Sequence, residues 1–222
     1  MLDPQAGAEL AAAWGLPTPP SGVAVTPEEA MALAERVGYP VVLKRIAPGL
    51  IHKSRAGGVA LNLKSASEVR EAFVRLIHPE EQALVQRMAP GGVEVIIGAY
   101  RDPQFGPVVM FGAGGVDVEA LEDVTFRLPP LTRAEARTML EETWIGRRLL
   151  RREREGNSEE IEIVIDILRR AGQMMLEHPE ITEIDLNPVI VASPGKGVHV
   201  VDVRIALSEE VPAPAAAATL LA

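Results

Sequence analysis

Residues 181–205 read ITEIDLNPVIVASPGKGVHVVDVRI and concentrate oxygen-bearing side chains at a spacing that could hold a cation. In an extended chain, residues two apart share a face, so Glu183, Asp185 and Asn187 point one way while Ile184 and Leu186 point the other. If 193–196 (SPGK) forms a four-residue turn, Ala192 opposes Gly197, and counting outward along both strands sets Asn187 opposite Asp202. Directly opposed side chains have Cβ atoms roughly 4.5–5.5 Å apart, near enough to share one metal ion. Oxygen ligands with no His or Cys beside them suit a hard cation such as Mg²⁺, held incompletely by protein and completed by substrate phosphates. The alternative is a polar sheet face with both aspartates in water, and a register error of two residues would break the pair.

A second group of chemistry-bearing residues lies far upstream. The chain has 4 lysines against 18 arginines, and two of the four are Lys44 and Lys53. Lys44 ends an apolar run (YPVVLK), and a compact ammonium at a strand end beside a glycine-rich loop can contact phosphate. His52 lies between that strand and the next, in IHKSRAGG. Its cationic neighbours Lys53 and Arg55 disfavour the protonated ring and favour a neutral, nucleophilic imidazole, a candidate phosphoryl acceptor. Solvated lysines and an ordinary loop histidine remain the plain alternatives. No Walker A sequence and no dinucleotide-binding glycine fingerprint occurs, which disfavours P-loop and Rossmann folds.

These residues need elements to position them. An Ala-rich opening reads as a short helix, followed by a proline-stiffened loop at 16–21. Thr26 with Glu29 and Pro27 starts a helix whose stripe is Ala30, Leu33, Ala34 and Val37, with Gly38 ending it. Strands follow at 39–44 and 58–63, then a helix from about Ser67 carrying Val69, Phe73, Leu76 and Ile77. Runs at 83–88, 93–100 and 107–111, separated by tight turn sequences, predict antiparallel strands. Thr132 with Glu135 caps another helix, and Ser158 begins a longer one with Ile161, Val164, Ile165, Leu168, Ala171 and Met175 inward. The charged stretch 147–159 between them reads as a solvated segment.

The 222 residues, 47% hydrophobic, can build a sizeable core in one large domain or two small lobes. A net charge of −9 and a pI near 5.1 exclude a broad electrostatic footprint for nucleic acid or anionic membrane. The absence of cysteine removes disulfides and thiolate chemistry. The opening MLDPQAGAELAAAWG has no positively charged leader, and no apolar run reaches the ~20 residues that span a bilayer, so the expected location is the cytoplasm.

Taken in order, YPVVLK, IHKSRAGGVALNL, LVQRM, GGVEVIIGAYRDPQFGPVVMFGAGG, LEDVTFRLPPL, EIDLNPVIV and VVDVRI resemble the ATP-grasp subunit of the NDP-forming acyl-CoA synthetases, over about residues 8–207. That family includes ADP-forming acetate–CoA ligase and is related to succinyl-CoA synthetase. The resemblance implies an α/β (α+β) ATP-grasp fold in which two lobes with antiparallel or mixed sheets clasp a nucleotide. It divides the chain into a small lobe with the N-terminal helix at 1–88, a large lobe at 89–207 and a disordered tail at 208–222. Lys44 matches the lysine on the nucleotide phosphates, and His52, Lys53 and Ser54 belong to the small-lobe loop over them. Gln86 and Met88 match the adenine-binding hinge, and Glu94 the glutamate beside the nucleotide. Asn187 and Asp202 match the Mg²⁺ ligands, with Asp185 alongside.

The implied cofactors are ATP or ADP and Mg²⁺. The implied partner is a CoA-binding alpha subunit carrying the primary phosphohistidine, in a hetero-oligomer, because nothing in this chain resembles a CoA-binding domain. His52 would be the second phosphoryl carrier. Two other functions compete: a nucleotide-binding module that keeps the fold without catalysis, and a grasp-type carboxylate ligase working alone. The stretch RREREGNSE departs from the shorter, glycine-containing loop expected of the family.

Overall fold

Several of the helices start where a side chain meets the unpaired N–H groups of the first turn. The computed structural model describes residues 1–46, 58–114, 123–153, 156 and 158–208. Thr26 accepts the Glu29 N–H at 3.2 Å and Ser65 the Glu68 N–H at 3.2 Å, opening α2 (Pro27–Val37) and α3 (Ala66–Leu76). The Glu29 carboxylate reaches back to the Val25 N–H at 2.8 Å, one residue before the position a full capping box would use. Thr132 and Glu135 do form the reciprocal box that starts α4 (Arg133–Glu142).

Two compact units result, one made of Asp3–Ala12 with Pro17–Pro90, the other of Met1–Leu2, Ala13–Leu16 and Gly91–Ala222. The first holds α1 (Pro4–Ala13), β1 (Ser21–Ala24), α2, β2 (Val41–Ile46), β3 (Val59–Leu63), α3 and β4 (Gln82–Arg87). Its strands form an antiparallel sheet in the order β1-β4-β2-β3. Val41, Leu43, Ala83 and Val85 on one face pack with Ala30 and Ala34 of α2 and Val69 and Phe73 of α3. Alternation therefore turns Val42, Lys44, Leu84 and Gln86 to the opposite face.

The second unit is built on β5 (Gly92–Asp102), β6 (Gly106–Ala113), β7 (Val124–Arg127), β8 (Ile181–Ala192), β9 (Val198–Val200) and β10 (Val203–Leu207). All pairings are antiparallel, in the order β10-β8-β5-β6-β7 with β9 also on β8. Helices α4, α5 (Trp144–Glu153) and α6 (Ser158–Glu177) complete it. The α6 stripe Ile161, Val164, Ile165, Leu168, Ala171 and Met175 is fully buried, as are Val95, Ile97, Val109 and Phe111 of the sheet. Among the described residues no helix is long and apolar enough to cross a membrane.

Residues 144–153 are helical, so the first part of the stretch 147–159 lies on a helix whose Arg147, Arg148 and Arg151 are exposed. Ile145 and Leu149, four apart, are buried and supply the inward stripe that the surrounding arginines obscure. Asp123 accepts the N–H groups of Trp144 and Ile145 at 2.6 and 2.9 Å, which starts α5. Arg137 of α4 holds Glu153 at its far end at 2.7 Å, and that guanidinium keeps the Glu153 carboxyl below the ordinary carboxylate range. The edge strands β1 and β7 are four residues each and carry too little alternation to be read from sequence. The tail at 209–222 lies outside the described residues.

Arg101 at the end of β5 ties this frame to the start of β8. Its guanidinium donates to the carbonyls of Met175 at 2.7 Å, His178 at 3.3 Å and Ile181 at 3.2 Å, where α6 ends and β8 begins. Hydrogen bonds from a charged donor contribute about 1.5–3 kcal/mol, and the three share one group. Arg101→Met is expected to lower unfolding free energy by about 2–3 kcal/mol in urea titration; a loss below about 0.5 kcal/mol would mean that the α6–β8 junction is held by packing alone.

Candidate functional site

The hairpin after β8 sets the geometry of the acidic group. Gly195 and Gly197 have φ of +73° and +77°, a region that L side chains rarely adopt, and the Lys196 N–H closes the turn on the Ser193 carbonyl at 2.9 Å. Ala192 donates to Gly197 at 3.1 Å, Val191, Ile190 and Val189 face Val198, His199 and Val200, and Val201 donates to Pro188 at 3.0 Å. Asn187 then donates its N–H to the Asp202 carbonyl at 3.3 Å, and the ladder continues with Leu186 opposite Val203 and Asp185 opposite Arg204. The cross-strand opposition of Asn187 and Asp202 expected from the turn is thus present in the backbone.

Both residues sit at an irregularity. On the other edge of β8, Val189 pairs with Val95 but Leu186 pairs with Ile97, so Asn187 and Pro188 together span the single residue Ile96. This is a β-bulge, which re-aims side chains and bends the strand. The burial pattern confirms the phase change: Ile184 and Leu186 are buried before it, Val189 and Val191 after it. Across the hairpin the buried Val200 and the buried Ile205 bracket a break at Val201 and Asp202. The interior phase is therefore kept on both arms while Asn187 and Asp202 are left half-buried at the bend.

Around them, Asp185 faces Gly98 on β5 and Arg204 on β10. Arg204 donates from Nη2 to Asp202 Oδ2 at 3.4 Å. The sequence reading passed over Arg204, although its place two residues after Asp202 puts it on that residue's face. Glu94 is exposed, lies opposite Ile190 three residues beyond Asn187 on β8, and accepts the Gly114 N–H through its carbonyl at 3.0 Å. Asp185, Asn187 and Asp202 are brought together, and Glu94 stands further along the same sheet. Among the described residues no three His, Asp or Glu side chains form a ready metal cage. The donor set is one carboxylate and one amide oxygen, with a second carboxylate alongside, which fits a hard cation that brings its own further ligands.

In the first unit Lys44 pairs with Leu84 and Val42 with Gln86, so Lys44 and Gln86 share the sheet face turned away from α2 and α3. Both are nearly enclosed, at 7% and 4% exposure, which is unusual for a lysine on a strand. At the end of β4 the Met88 N–H donates to the Pro40 carbonyl at 2.9 Å. Proline has no N–H to return that bond, so Pro40 leaves the Met88 carbonyl to other donors. His52, Lys53 and Ser54 lie outside the described residues.

A family model described as an ATP-grasp domain matches residues 1–207. The acetate–CoA ligase [ADP-forming] I subunit beta of Pyrococcus furiosus is 43% identical over 198 residues, covering 85% of this chain and 84% of that one. The acetate–CoA ligase [ADP-forming] I of Archaeoglobus fulgidus is 44% identical over 214 residues, 92% of this chain but 31% of its own length. The 4-hydroxybutyrate–CoA ligase [ADP-forming] of Nitrosopumilus maritimus is likewise matched over 30% of its length at 40% identity, and over 90% of this chain, so the chain spans under a third of these two relatives. Among solved structures, the dinucleotide forming acetyl-coenzyme A synthetase 1 of Ca. Korarchaeum cryptofilum, in complex with coenzyme A, Ca-AMPCP and HgCl⁺, has a TM-score of 0.83 at 42% identity and covers 93% of each chain. The same protein with coenzyme A and Mg-AMPPCP, its phosphohistidine segment pointing towards the nucleotide binding site, has a TM-score of 0.78 at 41% identity, covering 94% of this chain and 92% of that one.

Lys44 and Gln86 have apolar neighbours of similar volume in Val42 and Leu84, so replacing them tests whether they hold the sheet. Lys44→Met and Gln86→Leu are expected to fold with the melting temperature changed by less than about 5 °C, read by circular dichroism. A fall beyond about 10 °C in both would make them structural.

Proposed function

The chain belongs to the ATP-grasp domain family, and from that premise we propose that it is the nucleotide-binding subunit of an ADP-forming acyl-CoA synthetase of the acetate–CoA ligase type, moving a phosphoryl group between a phosphohistidine and ADP or ATP. The observation that carries the reading is the opposition of Asn187 and Asp202 at the bend of the β8 hairpin, in a chain matched over residues 1–207. The Pyrococcus furiosus relative, named a beta subunit and covered over 84% of its length, supports the assignment to one subunit of a complex. In the longer Archaeoglobus fulgidus relative the matching portion is 31% of the chain, which supports a CoA-binding alpha subunit as the missing remainder. That partner would carry the primary phosphohistidine and the acyl and CoA sites, in a hetero-oligomer.

Each unit supplies its own part. Lys44 meets the nucleotide phosphates, where a fixed ammonium offsets charge that builds as the phosphoryl group moves. Gln86 and the Met88 carbonyl face the adenine, with the amino group of the base as donor to that carbonyl. Asn187 and Asp202 hold Mg²⁺, with Asp185 alongside and Glu94 next to the nucleotide. The ion, when bound, neutralises phosphate oxygens and fixes their orientation. Phosphoryl transfer demands positioning and charge neutralisation more than a strong base, and oxygen and ammonium ligands of this kind are what it uses.

His52 relays the group. Its imidazole nitrogen bonds to phosphorus as the bond to the partner's histidine breaks, and a terminal oxygen of ADP then displaces His52 to give ATP. Lys53 and Arg55 beside it favour the neutral ring that this attack requires.

Mg-ADP at ~100 times its dissociation constant should add about 2.7 kcal/mol to the stability of the chain. That rise is expected to disappear in Lys44→Met and Asp202→Asn; an undiminished rise in both would refute the phosphate and metal assignments. His52→Ala should keep the nucleotide response and lose turnover with the cognate partner, measured as ATP formed from acyl-CoA, phosphate and ADP. Retained turnover would remove His52 from the path.

A further inference from the structure

We infer that the open sheet face around Tyr100, Met110 and Phe126 is the docking platform for the partner segment that carries the phosphohistidine, an assignment that rests on the proposed function. Four strands set this face in register. Asp185 on β8, Gly98 on β5, Met110 on β6 and Phe126 on β7 lie directly opposite one another in turn, and Tyr100 stands two residues further along β5, between Glu183 and Val108. The other face of these strands is closed, with Ile97, Ala99, Val109 and Phe111 buried. Aromatic residues make up 4% of the chain, yet Tyr100 and Phe126 stand side by side at 39% and 44% exposure, their rings edge to face with centroids 6.5 Å apart. The exposed Val124 and the half-buried Met110 extend the patch. Gly98 leaves room for Met110, whose Cε would lie 3.2 Å from a Cβ at that position. Exposed aromatics on a pre-formed apolar surface are what protein interfaces use as anchors.

The order of residues along β5 identifies the occupant. Glu94 stands at the nucleotide end, Ile96 opposite the bulge at Asn187 and Pro188, Gly98 opposite Asp185, and Tyr100 last. At about 3.4 Å per residue, Gly98 and Tyr100 lie roughly 7 and 14 Å beyond Ile96, away from the nucleotide end. Phosphoryl transfer sets the attacking and leaving atoms roughly in line through phosphorus. With ADP on one side of the ion, the donor, and the partner's histidine behind it, approach from the other. That side is the patch. The exposed Glu183 beside Tyr100 repels a free polyanion and fits a basic residue instead. The occupant is therefore a peptide segment with an apolar side chain to lay on Tyr100 and Phe126, a basic residue for Glu183, and a histidine that reaches toward the ion.

The test pairs the chain with its CoA-binding partner subunit, phosphorylated on histidine and used as the varied substrate, with ATP formed from ADP as the readout. The double variant Tyr100→Ser, Phe126→Ser removes two exposed anchors and should raise the KM for the phosphorylated partner about tenfold or more. Its kcat at saturating partner and its stability gain from Mg-ADP should match the parent chain. Val74→Ser, which removes an equally exposed apolar side chain on α3, should leave that KM unchanged. Either single variant gives the same reading should the pair fail to fold. An unchanged KM in the folded double variant overturns the platform. No ATP formation by the parent chain with its partner overturns the proposed function itself. Sedimentation of the chain alone supplies the remaining outcome: a parent dimer that the double variant dissolves would assign the patch to a second copy of this chain and overturn the partner segment as its occupant.

Discussion

The register of the β8 hairpin is the constraint on which the acidic site depends. Because side chains alternate with a period of two, a slip by one residue would send Asn187 inward and bring Leu186 out. The turn is held by more than its own closing bond: Glu160, buried in the first turn of α6, accepts the Gly195 N–H at 2.7 Å, and the His199 ring contacts the Lys196 carbonyl at 2.9 Å. A helix N-terminus favours a carboxylate, so the same residue suits both the helix and the turn. From there Val198 and Val200 against Val191 and Val189, all buried, fix the phase up to the bend. The bulge then changes that phase locally without exposing the core. The oxygen-bearing pair is thus a consequence of apolar packing on both sides of it.

The first unit meets a different problem, how to keep a lysine and a glutamine on a nearly closed sheet face. Burying such groups costs free energy unless they are partnered. Lys44 and Gln86 stand on that face in register with the apolar Leu84 and Val42. Polar groups kept in such places are where proteins depart from the most stable sequence for the sake of a site. In the second unit the equivalent departure is the bulge at Asn187 and Pro188, which gives up regular pairing with β5.

Much of this was legible because it followed local rules. The α6 stripe, the Thr132 box, the antiparallel runs and the 187/202 opposition each come from periodicity or from a turn whose length is written in SPGK. Other features were hidden for physical reasons. α5 was obscured because two apolar residues, Ile145 and Leu149, decide its face among many arginines. The contact of Arg204 with Asp202 was harder to see, since two-residue spacing sets a shared face but not which side chains meet. The enclosure of Lys44 and Gln86 could not be read either, since burial of a strand's second face is decided by residues distant in sequence. The functional proposal began from ordered segments that resemble a family, and the family model matched over residues 1–207 shows the ATP-grasp domain alone.

The central claim is that a nucleotide-borne divalent ion sits on Asn187 and Asp202. Exchanging Mg²⁺ for paramagnetic Mn²⁺ in its ADP complex, with the isotope-labelled chain observed by NMR, reads this directly. The account predicts that the amide signals of Asn187 and Asp202 and the side-chain amide of Asn187 broaden most, followed by Asp185 and Arg204. Broadening centred on other residues, with the β8 hairpin signals unaffected at saturating nucleotide, would contradict it.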